Sequence, residues 1–199
     1  MTALRRLGLL APLAAFSLAG CGLNSVPTAE EEVNAAWGNL QSEYQRRADL
    51  IPNLVETVKG YAAQEKSVLT EITEARASAT RVQLRAEDLD DPDKVRAFNE
   101  AQSRLSAAII PLQRLQEAYP DLKSNQNFLT LQSQIEGTEN SILVGRRDYN
   151  EAVRAYNTRI RTFPDAIGAK VFYGAKPKVP FEAAAGSQTA PKVDFNTTG

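Results

Sequence analysis

VNAAWGNLQSEYQRRADLIPNLVETV, residues 33–58, is the stretch from which the fold is read. Val33, Trp37, Leu40, Tyr44, Arg47, Ile51, Leu54 and Val58 recur at alternating steps of four and three, so they share one face of a helix built to lie along other helices. Arg47 interrupts this apolar seam with a cation, and Arg46, Asp49, Pro52 and Asn53 crowd beside it. Pro52 removes a backbone donor and disfavours the helical conformation at Ile51, which predicts a kink or a short break there.

The same spacing extends in both directions. Thr28, followed by Glu30, Glu31 and Glu32, suits the start of this first helix, where acids favour the positive end of the helix dipole. Beyond Gly60 the seam resumes at Tyr61, Glu65, Val68, Ile72, Ala75, Ala79 and Val82, to about Ala86. A single helix from Thr28 to Ala86 would reach roughly 90 Å, longer than a domain of this size accommodates, so a reversal is expected near Gly60. A loop over 87–91 leads to Asp91 as a cap with Pro92 at the first helical position. The next helix turns Val95, Phe98, Leu105, Ile109, Leu112 and Leu115 inward, with a kink predicted between Ala107 and Pro111. Tyr119-Pro120-Asp121 closes it, and Ser124 or Asn125 can cap the last long helix.

That helix carries Phe128, Leu131, Ile135, Glu139, Ile142, Arg146, Tyr149, Val153, Tyr156, Ile160 and Phe163 on one stripe, and Pro164 ends it. One further turn over 165–170 is expected, with Val171, Phe172 and Tyr173 packed back on the helices. Residues 174–199 show no period and read as a mostly disordered tail, with Phe181 available for attachment. Almost nothing resembles a strand. The expected fold is all-α: an antiparallel bundle of three to four long helices over 29–173, in one domain of a 199-residue chain.

The first twenty residues stand apart from the fold. Arg5 and Arg6 make a basic start, residues 7–18 an apolar run, and Leu18-Ala19-Gly20-Cys21 closes it. The run is short for a membrane span. An uncleaved membrane helix, an ordinary secretory signal and a signal cut before an acylated cysteine all compete, and the small residues before Cys21 resemble the last of these, a bacterial lipoprotein signal over 1–20. Residues 21–28 then form a lipidated tether, with Cys21 the lipid-bearing residue. Cys21 is the only cysteine, so no disulfide forms within the chain. Removing residues 1–20 takes away two of the 23 basic residues and none of the 24 acidic ones, leaving a net −3, with no electrostatic footprint for nucleic acid.

Histidine is absent from the whole chain, which removes imidazole acid/base chemistry, the usual zinc sites and the Glu-x-x-His di-iron pattern. No glycine-rich phosphate loop or nucleophile elbow is present either. No enzyme activity, cofactor or metal is expected. Attention therefore falls on polar residues in apolar places. Arg47, Glu139 and Arg146 sit on seams, and Asp49, Asn53, Asn140, Arg147, Asn150 and Asn157 lie beside them. A charge buried on a seam costs several kcal/mol unless it is paired. The economical arrangement sets the first and last long helices side by side, with Arg47 or Arg46 meeting Glu139, and Asp49 available to Arg146 or Arg147. Such a network would fix the register of helices otherwise free to slide by a heptad. The alternatives are long side chains that snorkel to the bundle edge, or a ligand site. Tyr149-Asn150 and Tyr156-Asn157 echo at seven residues. This is either a stacking platform for a ligand or partner, or core tyrosines with hydroxyls at the core's edge; the second is the simpler reading.

Trp37, the run from Tyr44 to Val55, Val58-Lys59-Gly60-Tyr61, Tyr119-Pro120-Asp121-Leu122-Lys123, Glu136-Gly137-Thr138-Glu139-Asn140, Arg146-Arg147-Asp148-Tyr149-Asn150-Glu151-Ala152-Val153, Tyr156-Asn157 and Phe163-Pro164 together resemble the LemA family of bacterial proteins. Pro111 departs from that family's pattern. The resemblance implies a helical bundle held at a membrane by an N-terminal apolar segment or lipid, in the bacterial envelope, without established enzyme chemistry. It also implies roles in envelope organisation or membrane shaping for parts of the family. The expectation is a lipid-anchored, non-catalytic scaffold outside the cytoplasm that binds an envelope protein or its own copies. The alternative is a membrane-shaping or lipid-contacting protein, against which no helix shows a basic face opposite an apolar one.

Overall fold

The computed structural model describes residues 24–182, and every regular element among them is helical. Helix α1 spans Ser25–Lys59, α2 Lys66–Arg81, α3 Pro92–Ala118, α4 Pro120–Lys123, α5 Gln126–Arg159 and α6 Asp165–Gly168. A 3-10 turn occupies Ala86–Asp88, and a π-helical turn, Ala169–Tyr173, continues α6.

Helix α1 begins three residues earlier than its Thr28 signal. Val26 and Ala29 are buried, so apolar contact holds the first turn in place and residues 25–28 belong to the helix, not to a tether. At the other end α1 stops at Lys59, where Gly60 and Ala62 donate back to the carbonyls of Glu56 and Val58. The chain reverses there, and α2 returns along α1 to bring Arg76 opposite Ala48.

No break occurs at Pro52, and α1 runs through it. The missing proline N–H leaves the carbonyl of Ala48, four residues back, without its helical donor. Arg76 Nε of α2 donates to that oxygen at 2.6 Å, so a neighbouring helix supplies what the proline cannot. Helix α3 likewise runs unbroken through Pro111. There the freed position, Ala107, stands on the exposed side of the helix, open to water.

The caps are local chemistry. Asp91 accepts from the backbone N–H groups of Asp93 and Lys94 at 3.0 and 3.3 Å ahead of Pro92. Asn125 accepts from Phe128 N–H at 2.9 Å at the head of α5.

Helices α1 and α5 share the longest interface and run antiparallel, since Ser25, Leu40 and Arg47 meet Arg159, Gly145 and Glu139 in turn. They approach closely at Gly145, where an added Cβ would lie 3.2 Å from Leu40 Cδ1 and 3.6 Å from its Cα. Helices α2 and α3 pack together, and α2 also packs on α1.

The buried apolar residues form two clusters. One joins the N-terminal half of α1, the start of α3 and the C-terminal half of α5, through Trp37, Phe98, Tyr149 and Tyr156. The other joins the C-terminal half of α1, α2, the rest of α3 and the start of α5, through Ile51, Ile72, Leu105 and Ile135.

The C-terminal region differs from the sequence reading. Helix α5 ends at Arg159, so Phe163 leaves the stripe and is exposed; Val171, Phe172 and Tyr173 are exposed as well, because the π turn directs Gly168 and Ala169 inward in their place. Residues 174–182, expected within a disordered tail, form an extended strap along α5. Gly174, at φ +54°, provides the left-handed turn that opens it.

Candidate functional site

Two polar constructions stand out, and both involve α5. The first lies at the boundary between the two apolar clusters. Arg47 is 1% exposed and fans its guanidinium across three helices. Nη1 donates to Glu139 Oε1 of α5 at 2.7 Å and to Ser106 Oγ of α3 at 2.6 Å, while Nη2 donates to Gln102 Oε1 of α3 at 2.6 Å. Gln102 in turn donates to the Ala79 carbonyl of α2 at 3.3 Å, so α1, α2, α3 and α5 meet in one layer. Tyr44 places its ring 5.4 Å from the guanidinium carbon, which adds a cation–π contact.

The position follows from the sequence. Arg47 lies one step from Tyr44 of the aromatic cluster and one step from Ile51 of the aliphatic cluster, and Glu139 falls between Ile135 and Ile142 in the same way. An ionic layer therefore separates the halves of the core. Sliding α5 by a heptad would set Gln132 or Arg146 opposite Arg47 in place of Glu139 and leave the buried cation without its carboxylate, a cost of several kcal/mol.

Of the other residues expected in this network, none pairs with Arg47 or Glu139. Asp49 lies two positions from Arg47, on a different face of α1, and accepts from Gln45 at 2.8 Å; it meets neither Arg146 nor Arg147. Arg46 is exposed. Arg147 is exposed and holds its neighbour Asp148 at 3.0 Å. Arg146 sits over the Phe181 ring at 5.3 Å and donates to the Glu182 carbonyl at 2.7 Å. Its partner is the strap, an element without the periodicity that would reveal it in sequence. Cys21 lies outside the described residues.

The strap is the second construction. Asn150 holds the backbone of Phe181 with both ends of its amide, donating to the Phe181 carbonyl at 2.9 Å and accepting from the Phe181 N–H at 2.8 Å. Asn157 does the same to Lys178, at 2.8 and 2.9 Å. Seven residues of α-helix rise about 10.5 Å, and three residues of extended chain span about 10 Å, so asparagines seven apart match strap residues three apart. Tyr149 donates its hydroxyl to the Val179 carbonyl at 3.0 Å, and Val179 N–H reaches the Leu89 carbonyl at 2.8 Å. Lys176 and Lys178 pair with Asp90 and Glu30. The Lys176 ammonium holds the Asp90 carboxyl below its usual range.

Phe181 then fills the aromatic cluster, with ring centroids 5.1 Å from Tyr149 and 5.9 Å from Trp37. The seven-residue Tyr-Asn echo was the visible signal. Its tyrosines are core residues, and its asparagines are the clamps that sequence reasoning missed.

Burial raises the phenol pKa of Tyr149 above the ordinary range and pushes that of Tyr156 up to about 12, the latter helped by Glu30 and Asp90. Burial also raises Tyr44, against the nearby Arg146 and Arg47. A cleft of about 260 Å³ opens beside Gln102, rimmed by Gln41, Gln45, Thr80 and Gln83. Its walls offer amides, the hydroxyls of Tyr44 and Thr80, and the Arg85 guanidinium for hydrogen bonding. Among the described residues, no group of three or more His, Cys, Asp or Glu side chains could hold a metal ion, and no helix is long and apolar enough to cross a membrane.

Comparison with known proteins places these features in a family setting. The sequence model of the LemA family matches residues 36–195. The chain is 26% identical over 140 residues to Protein LemA of Metamycoplasma hominis, covering 70% of this chain and 60% of that one. It is also 26% identical over 157 residues to Magnetosome proteins MamQ 2 and MamQ 1 of Paramagnetospirillum magneticum, covering 71% of this chain and 58% of each relative. The chain thus spans about 60% of the length of these relatives.

Proposed function

Because the chain belongs to the LemA family, we propose that it is a membrane-anchored antiparallel helical bundle of the bacterial envelope that serves as a non-catalytic scaffold, held by lipid on Cys21. The observation that carries this reading is the directness of the junction. Four residue steps separate Cys21 from Ser25, where α1 begins, and Arg159 Nη1 of α5 ties down the Ser25 carbonyl at 3.0 Å. An anchor at Cys21 therefore leads straight into the longest helix of a body whose internal register is fixed by the Arg47 layer. Such a body transmits position from the membrane to whatever it binds, and a rigid surface of this kind fits an envelope protein or a second copy of the chain.

The anchor is tested by mass spectrometry of the protein extracted from membranes, together with the Cys21→Ser chain. The expected result is a mature N-terminus at an acylated Cys21, with the variant lost from the membrane fraction. A mature protein free of lipid removes the anchor. Proximity labelling from the native chain in the envelope tests the scaffold; labelling no richer than that from an unrelated lipoprotein removes it.

A further inference from the structure

Near the end of the molecule where α1 begins, large apolar side chains stand exposed together. Phe163 is 82% exposed, Ile167 58%, Val171 69% and Phe172 67%, all within the short segment that follows α5. The segment does not dangle. Ala169 is buried in the aromatic cluster with Val26 and Ala29 of the first turn of α1, and α6 packs on α1. The fold thus buries the small residues Gly168 and Ala169 and turns the large ones outward. A helix end stabilised for its own sake would do the reverse, since burying a phenylalanine or isoleucine is far more favourable than burying a glycine or alanine. Clustered exposed apolar groups of this size mark an interaction surface.

What covers this surface follows from where it stands. The chain between Cys21 and Ser25 can reach no more than about 14 Å, and residues 7–18 before it are an apolar run. Whether the N-terminal segment is held by lipid or by that run itself, the bilayer interface comes within this distance of Ser25, and so of the apolar end that Arg159 ties to it. The charge agrees. Arg161 and Lys170 are exposed on the segment, whereas its acid, Asp165, faces Arg159 at 3.8 Å. Aromatic and aliphatic side chains flanked by cations suit the interface of a membrane carrying anionic lipid.

We infer that Phe163, Ile167, Val171 and Phe172 form a second membrane contact, inserting into the same bilayer face that holds the N-terminal anchor and setting the orientation of the bundle on it. This deepens the proposed function and rests on its membrane-anchored reading. One tether leaves a rod free to swivel; a tether plus an inserted apolar end fixes its tilt.

The test uses the full chain with its native anchor, reconstituted in vesicles of phosphatidylethanolamine and phosphatidylglycerol in equal parts. An environment-sensitive fluorophore is placed by Val171→Cys, or by Leu143→Cys on the exposed middle of α5, with Cys21 blocked by its lipid. Flotation reports the anchor, and emission shift with quenching by a brominated lipid reports the contact. The expected result is that both chains float, with a blue-shifted, lipid-quenched emission at position 171 and a water-like emission at 143. Flotation with water-like emission at both positions overturns the contact and leaves the anchor standing. A chain that does not float overturns both. Desolvation at 171 in native envelopes but not in lipid vesicles assigns the surface to a protein partner and also overturns the lipid contact.

Discussion

Arg47 and Glu139 meet at 2.7 Å across the α1–α5 interface, at the one level where the aromatic and aliphatic halves of the core adjoin. The two partners are not equally buried: the arginine side chain is 1% exposed and the glutamate 33%. Removing the glutamate leaves the buried cation with only the neutral acceptors Ser106 and Gln102. Glu139→Ala is therefore expected to lower stability by about 2–4 kcal/mol. Asp148→Ala, at an exposed pair, should change it by less than about 1 kcal/mol. Urea unfolding checks both, and equal losses would show that the layer is no more than a surface pair.

Arg76 and Pro52 form a coupled pair through the Ala48 carbonyl. Arg76→Met should cost about 1–3 kcal/mol by leaving that buried acceptor unmet. In a Pro52→Ala background the helix supplies its own N–H, and the same substitution should cost clearly less. A double-mutant cycle measures the difference; additive effects would show that the two residues act independently.

The strap predicts a local change without a global one. Asn157→Ala or Asn150→Ala removes two hydrogen bonds to the backbone of a single strap residue. The Val179 amide should then exchange about tenfold faster or more. The only tryptophan, Trp37, reports on the departure of Phe181 through its emission. Unchanged exchange at Val179 would mean that the asparagines do not hold the strap.

These elements differ in how far they could be read in advance. The three-four spacing located the long helices, and Asp91 with Pro92 marked a start, because caps and seams depend on residues a few positions apart. Arg47 and Glu139 were legible as a pair because each broke an apolar seam. The expected partners of Asp49 failed because nothing within α1 or α5 reveals that the strap claims Arg146. The unbroken path through Pro52 was invisible for a related reason, since its substitute donor lies on another helix. The strap carries no period of its own; its regularity is written in the spacing of the asparagines that grip it.

Alkaline solution should weaken the fold through its buried phenols. Tyr156 titrates at about 12 in the folded chain against 10.0 for the free group, and Tyr149 is raised for the same reason, burial. Below pH 10 both states keep the proton and the contribution is complete. Between pH 10 and 12 the unfolded chain releases phenolic protons that the folded one retains, so stability should fall by about 1.4 kcal/mol per pH unit for each such tyrosine. Unfolding followed across that window, with phenolate absorbance as a second probe, checks it; a flat profile would place these hydroxyls in water.

The division of the core also sets an order of birth. The aliphatic cluster draws its members from residues 51–135, so its parts have all been synthesised before Ile142 exists, whereas the aromatic cluster waits for Phe181. A growing or clipped chain that ends before the strap owns a finished lower half and an open aromatic trough above it, with Trp37 and Phe98 short of their last neighbour.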